Sequence, residues 1–380
     1  MTIPAPTRPG PPRRSVIDTS ILVTTFRRPR HLALVLESIA AQRGVPRTFE
    51  IIVADDGSED ETAAVVAAFA AVVDFPVRFT TQPHDGFRLA RVRNNAARLA
   101  GGEYLLFVDG DCILPRHHLE AHHRRRRPGV ALLGFCGRLT EEASQLLMPE
   151  NLAVTNLATL VTHHETRLLA RRHRRARWHA LIRHPNKPRL AGGDFGLWRH
   201  DFEAVNGFDE RFVGWGQEDD DLGLRLRAAG IRLESVLDLT CSLHVWHPTD
   251  PSATPRWRDG ANVNYFGRRG RLSACREGLV RRENDAISWG EPSDIGATPL
   301  GRSVQKLLAS ASLAAPGAGC EIDLIVAPSA TSFSRPSECR LLLVPAGTTP
   351  APRLVARADR VVEVAAEDPQ VIADTLAAIG

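Results

Sequence analysis

Three short polar clusters, each following an apolar run, hold the side chains most suited to chemistry in this sequence. Asp109-Gly110-Asp111 follows Tyr104 to Val108. Two carboxylates separated by one small residue can share a divalent cation, and Gly110 lets backbone and ligand approach closely. Asp55-Asp56-Gly57-Ser58 follows Phe49 to Ala54. A carboxylate there can accept from a nucleobase imide or from ribose hydroxyls, although the same residues also suit a helix-capping turn. Thr24-Thr25-Phe26-Arg27 closes the run that begins at Ser20. A fourth cluster, Glu218-Asp219-Asp220-Asp221, leads into Leu222 to Ala229, which places its acids on the first turn of a helix, where the helix dipole favours negative charge.

The elements that must carry these clusters can be read from periodicity. Strands are expected at Ser20–Thr24, Phe49–Ala54, Val77–Thr81 and Tyr104–Val108, with helices at Pro29–Gln42, from a Ser58/Glu61 capping box to about Ala71, and at Leu89–Ala100. Alternation at this spacing implies an open parallel sheet, whose ligands bind beyond the carboxyl ends of the strands. Hydroxyl, guanidinium and carboxylate groups from three strand ends would then converge on one crevice. Further on, Glu141 to about His184 is helical and mostly polar, a short helix is expected at His200–Val205, and a strand at Ile231–Val236. The runs Glu321–Val326, Arg340–Val344 and Arg360–Val364, with a helix at Pro369–Ile379, suggest a small separate α/β unit beyond a linker near Asp285.

Composition limits the class. The chain has 380 residues, 43% of them hydrophobic and 24% charged, enough to bury a sizeable core as two or three domains. The net charge of +4 comes almost wholly from arginine, since Lys187 and Lys306 are the only lysines. That skew, with the alanine richness, reads as base-composition bias, and no nucleic-acid partner is expected. Six cysteines without a CxxC pair exclude a zinc knuckle and fit a reducing, cytoplasmic setting. No stretch is long and apolar enough for a membrane span, which leaves peripheral contact at the inner face open. Residues 1–17, rich in Pro and Arg, read as a disordered tail.

The order TTFRRP, ADDGSED, FRLARVRNNA, DGD resembles the nucleotide-sugar half of inverting family 2 glycosyltransferases with the GT-A fold, a Rossmann-like mixed α/β sheet. GGDFGLWR, NGFDERFVGWGQEDDDLGLRL and HVWHP resemble the acceptor half shared by β-1,4-galactosyltransferases, polypeptide N-acetylgalactosaminyltransferases and bacterial chondroitin-type polymerases. The resemblance runs from about Ser20 to His247. It implies a donor half at 18–135, an acceptor-binding half at 136–285, and an appended unit of unassigned role at 286–380. Its implied activity is metal-dependent inverting transfer of a hexose or N-acetylhexosamine from a UDP-sugar to an acceptor hydroxyl. The acceptor could be a glycan, a lipid-linked saccharide, a peptide or a small molecule. A nucleotidyltransferase on a similar sheet, or a noncatalytic nucleotide or anionic-polymer binder, are the competing readings.

Residue by residue, the resemblance assigns Mn²⁺ or Mg²⁺ to Asp111 and Asp109, with Asp109 shared with the ribose, and adds His247 or His244 as a further ligand. It assigns Thr25, Arg27, Asp56 and Arg88 to the nucleoside and diphosphate, and Gly193 and Asp194, with Gly192, to the donor sugar. Asp219 is implied as the base and Glu218 as its neighbour that orients the acceptor, while Trp215, flanked by glycines, would be a stacking platform. Of the three arginines in FRLARVRNN, Arg88 and Arg91 are expected as helical neighbours and Arg93 to point elsewhere.

Overall fold

A computed structural model describes residues 17–44, 48–248, 260–268, 273–282, 288–290, 295–308, 312–313, 320–327, 333 and 337–364. The tail reading of 1–17 falls almost wholly outside these residues, as does the helix expected at Pro369–Ile379. The first half alternates as the apolar runs require: β1 (Thr19–Thr25), α1 (Pro29–Ala40), β2 (Phe49–Asp55), α2 (Thr62–Ala70), β3 (Val77–Thr81), α3 (Leu89–Leu99) and β4 (Tyr104–Asp109). Then come β5 (Cys112–Ile113), α4 (His118–Arg125), β6 (Val130–Leu133), β7 (Cys136–Arg138), α5 (Glu141–Gln145), α6 (Pro149–Leu152) and α7 (His163–Leu181). The acceptor-side motifs lie around β8 (Asp194–Trp198), α8 (Arg199–Ala204), α9 (Glu218–Ala228), β9 (Arg232–Ser235) and β10 (Ser242–His244).

The main sheet has seven strands in the order β3-β2-β1-β4-β8-β6-β9. β1, β2, β3 and β4 are mutually parallel, whereas β8 runs antiparallel to both β4 and β6. The sheet is therefore mixed α/β, of the GT-A type, rather than wholly parallel. Alternating residues feed two cores: Ile21, Val23, Leu106 and Val108 enter one, Leu22, Leu105 and Phe107 the other. Burial on both faces explains why these strands read as continuous apolar runs. Aromatic stacking of Phe107 on Phe195, 4.6 Å between centroids, joins β4 to β8.

A second sheet, β5-β10-β7, is small and sits where His244 ends β10 beside Cys112 of β5. The C-terminal runs form a third sheet with β11 (Ser288–Gly290), β12 (Ser312–Leu313), β13 (Cys320–Val326), β14 (Ser337–Pro345) and β15 (Arg360–Val364), all parallel, in the order β12-β11-β13-β14-β15. None of its pairings is with the main sheet among the described residues.

Two local expectations need correction. The Ser58/Glu61 capping box is absent: α2 begins at Thr62, and the Ser58 hydroxyl donates to Asp55 at 2.5 Å while accepting from the Arg27 N–H at 2.7 Å. Asp55 captures the serine because its carboxylate also takes the N–H groups of Gly57 and Ser58. The segment from Glu141 to His184 is broken into α5, α6, a 3₁₀ turn at Leu157–Leu160, and α7.

Candidate active site

The carboxyl ends of β1, β2 and β4 bring the first three polar clusters to one edge of the sheet. The Gly110 N–H donates to the Thr24 carbonyl at 2.7 Å, and a Cβ at Gly110 would come within 3.0 Å of Thr25. The tight crossing therefore needs a glycine between the two acids. Thr24 also donates to Asp109 Oδ1 at 3.2 Å. Thr25 is buried in this crossing.

Asp56 is buried at the end of β2, accepting from Gln82 Nε2 at 2.7 Å and from the Arg88 N–H at 3.2 Å. Beside it the Phe26 ring and the His84 imidazole stack with centroids 4.3 Å apart, and Arg27 lies over Phe26 at 4.8 Å. Arg27 itself is exposed, with φ of 50°. Arg88 reaches Asp56 through its backbone, while its guanidinium pairs with Asp85 at 2.6 Å.

The centre of the site is a residue the sequence motifs did not single out. Arg93 is 1% exposed, donates to Asp219 Oδ1 at 2.7 Å and to Asp109 Oδ1 at 2.9 Å, and lies 3.9 Å from Glu218 Oε1. It thus joins the end of β4 to the start of α9. A signal was present: Ala90, Arg93, Asn94 and Ala97 are the buried face of α3 at helical spacing, so an arginine occupies a core position and must be paired. Burial alone would lower its pKa, but the charges of Asp219, Asp109 and Glu218 raise it and keep the guanidinium charged.

Glu218 and Asp219 occupy the first turn of α9, reached through Gly214, Gly216 and Gln217, all with positive φ. Gly214 and Gly216 leave Trp215 on this turn, 39% exposed. The helix is fixed from behind by Arg225, which bonds Asp221 at 2.8 Å and the carbonyls of Val205 and Gly207 at 2.7 and 2.6 Å. Asp219 also accepts from the Gly192 N–H at 2.9 Å, and a Cβ at Gly192 would fall 2.4 Å from Arg93 and 2.5 Å from Asp219. Glycine at 192 therefore makes room for the Arg93–Asp219 pair. Gly193 passes behind Asp109, receiving the Asp109 N–H at 3.2 Å on its carbonyl.

Burial and the adjacent Asp219 charge push the Glu218 carboxyl up to about 8, against the opposing pull of Arg93. Its Oε2 is buried without a hydrogen-bond partner. Burial also raises Asp219, more than Arg93 holds it down.

Asp111 faces a different group. His247 Nε2 lies 3.3 Å and His244 Nε2 3.7 Å from Asp111 Oδ2, and one donor atom from each of the three falls within a 4.8 Å span. Both candidate imidazoles therefore converge on Asp111. Burial would raise the Asp111 pKa, but the His247 bond and the charges of His244 and Arg28 hold it down at about 2. Arg28 Nη1 pairs with the carboxylate at 2.8 Å. Two imidazole nitrogens and one carboxylate oxygen form a donor set that suits Mn²⁺ better than the all-oxygen preference of Mg²⁺. Asp109 is not in this group; its Oδ1 is taken by Arg93 and Thr24.

Asp194, expected beside donor-sugar hydroxyls, does not line the crevice. Its side chain is fully buried, 3.2 Å from His118 Nε2 and 3.8 Å from His122 Nε2. The antiparallel register sets it opposite Val108, and its side chain turns toward α4.

Two family models match separate stretches of the chain. Residues 20–125 match the profile of glycosyl transferase family 2, and residues 172–248 match one described as the N-terminal domain of galactosyltransferase. Among curated proteins, validoxylamine A glucosyltransferase of Streptomyces hygroscopicus subsp. limoneus is 32% identical over 232 residues, covering 56% of this chain and 48% of that protein. Chondroitin synthase of Escherichia coli is 24% identical over 240 residues, covering 60% of this chain and 34% of that protein. The chain thus spans about half of the first relative and a third of the second. A solved structure of S. aureus TarS residues 1–349 in complex with UDP-GlcNAc is 17% identical, with TM-score 0.42 over 61% of this chain and 60% of that one. No helix among the described residues is long and apolar enough to cross a membrane. Asp56, Asp109 and Asp111 therefore lie in the stretch that matches glycosyl transferase family 2, and Asp219 and both imidazoles lie in the later stretch that matches the galactosyltransferase model.

Proposed function

We propose that this chain is a metal-dependent inverting glycosyltransferase that moves a hexose or N-acetylhexosamine from a UDP-sugar to an acceptor hydroxyl. One observation carries the reading: Arg93 ties Asp109 to the Glu218/Asp219 pair, and Asp109 stands one residue from the Asp111/His244/His247 group. Donor-holding and proton-accepting groups thus share one crevice. The sugars named in the relatives, glucosyl and the chondroitin class, support a hexose or its N-acetyl derivative.

In this reading Asp56 accepts from the uracil imide, with the stacked Phe26 and His84 as a flat wall beside it. Thr25, Arg27 and Arg88 border the nucleoside and diphosphate, and Asp109 binds the ribose. Asp111, His244 and His247 would hold Mn²⁺, which when bound neutralises charge gathering on the departing diphosphate. Gly193 borders the donor sugar, and Trp215 is a stacking platform for a sugar. Asp219 removes the acceptor proton, and its raised pKa makes it a stronger base than a solvated aspartate. Glu218, its Oε2 otherwise unbonded, orients the acceptor. The acceptor oxygen attacks the anomeric carbon opposite the diphosphate in one displacement, which inverts the configuration. The donor half is 18–135 and the acceptor half 136–285, with 286–380 appended.

The test is a panel of nucleotide sugars with Mn²⁺, read as thermal stabilisation and as release of nucleoside diphosphate. One UDP-sugar should stabilise the protein and be slowly hydrolysed, and Asp219→Asn should lower transfer about a thousandfold without weakening donor binding. Stabilisation without turnover for every donor would make this a noncatalytic binder. Full transfer by Asp219→Asn would remove Asp219 as the base.

A further inference from the structure

Behind the crevice lies a second group with the same donor types and an opposite setting. His118 and His122 stand one turn apart on α4 and face Asp194 of β8; the three side chains are 0%, 1% and 0% exposed. Both Nε2 atoms approach one carboxylate oxygen, at 3.2 Å and 3.8 Å. Both Nδ1 atoms are bonded outward, His118 to the Thr240 hydroxyl at 2.9 Å and His122 to the Tyr104 hydroxyl at 3.1 Å. His122 Nε2, buried at the centre, makes no hydrogen bond of ordinary geometry.

We propose that His118, His122 and Asp194 bind a structural transition-metal cation of the Zn²⁺ class, separate from the crevice ion. The donor atoms lie within a 4.8 Å span. Ligands on a tetrahedral ion with bonds of about 2.0–2.1 Å stand about 3.3 Å apart, and the two nitrogen–oxygen distances of 3.2 Å and 3.8 Å bracket that value. The outward bonds of both Nδ1 atoms are the outer-shell pattern that fixes ligating imidazoles with Nε2 free for the metal. Such an ion gives the orphaned His122 nitrogen a partner, where a hydrogen-bonded triad without it leaves that nitrogen unsatisfied in the interior. Nothing in this group touches the transferase reaction, so the site stands or falls independently of the proposed activity. The clip would join α4 to β8, one residue from the Gly193 carbonyl that receives the Asp109 N–H.

The full chain carrying Asp111→Ala and His247→Ala, which empties the crevice group, should be purified without added metal, dialysed and analysed by elemental mass spectrometry. About one equivalent of Zn²⁺ per chain is expected, because a fully buried ion exchanges slowly. Refolding with Co²⁺ in place of Zn²⁺ should give the strong visible absorption of a tetrahedral ion. Adding His122→Gln to that background should abolish both signals. Where that variant does not fold, the crevice-emptied protein still decides: a melting temperature lowered by prolonged chelation supports the site. Less than a tenth of an equivalent of metal, with no Co²⁺ band and no response to chelation, would overturn it, as would metal retained by a folded His122→Gln variant.

Discussion

Asp109 and Asp111 are separated by one glycine and belong to two corners of the crevice with different physics. The Asp109 corner is organised by a buried cation built into the chain: Arg93 binds Asp109 and Asp219 and approaches Glu218. The Asp111 corner is organised by two imidazoles and the partly exposed Arg28. The first corner is part of the fold, and the second, in the proposed function, is the metal receptor attached to it. A motif of two acids would thus do two separable tasks, one holding the acid pair in place and the other preparing a metal site.

Removing the cation from the first corner should have the largest effect. Arg93→Ala leaves three carboxylates facing one another without their partner, and stability should fall by about 3–5 kcal/mol in urea unfolding, together with complete loss of transfer. A variant that unfolds like the parent would break the comparison. Asp111→Ala should do the reverse, keeping the unfolding midpoint near the parent while abolishing the Mn²⁺ dependence of donor binding, measured by titration calorimetry.

A smaller effect should appear in the pH dependence of stability. The Glu218 carboxyl titrates near 8 in the folded chain, above its ordinary 4.5, so the fold favours its protonated form. Its contribution is complete below the unfolded pKa and is lost as pH rises toward 8, at no more than about 1.4 kcal/mol per pH unit. Glu218→Gln should flatten this decline between pH 5 and 8 in denaturant titrations of the donor-free protein, and an unchanged slope would reassign it. The smallest change is at Gln217, whose φ of 78° is left-handed. Gln217→Gly should raise stability by up to about 1 kcal/mol without moving the acids.

Much of this was legible in the sequence because strands buried on both faces must be apolar throughout. β1, β2 and β4 are found where the runs of Ile, Leu and Val lie, and their polar ends meet as an open sheet demands. β8 is harder to read: Asp194 and Gly196 interrupt its apolar character, and its antiparallel insertion is a tertiary choice. That insertion also turned Asp194 from the crevice toward α4. Arg93 received no role because it is expected to point away from Arg88 and Arg91, and its place on the buried face of α3 is what turns it inward to the acids. The imidazoles of α4 carried a parallel signal, since His118 and His122 are four residues apart on a face shared with Leu119.

The turn into α9 has a consequence for how such a chain can diversify. Its path follows the backbone signs of Gly214, Gly216 and Gln217, and the helix beyond is locked by Arg225. In the proposed function the ring at Trp215 meets a sugar while the acids that open α9 do the chemistry, so a lineage could vary the one and keep the other.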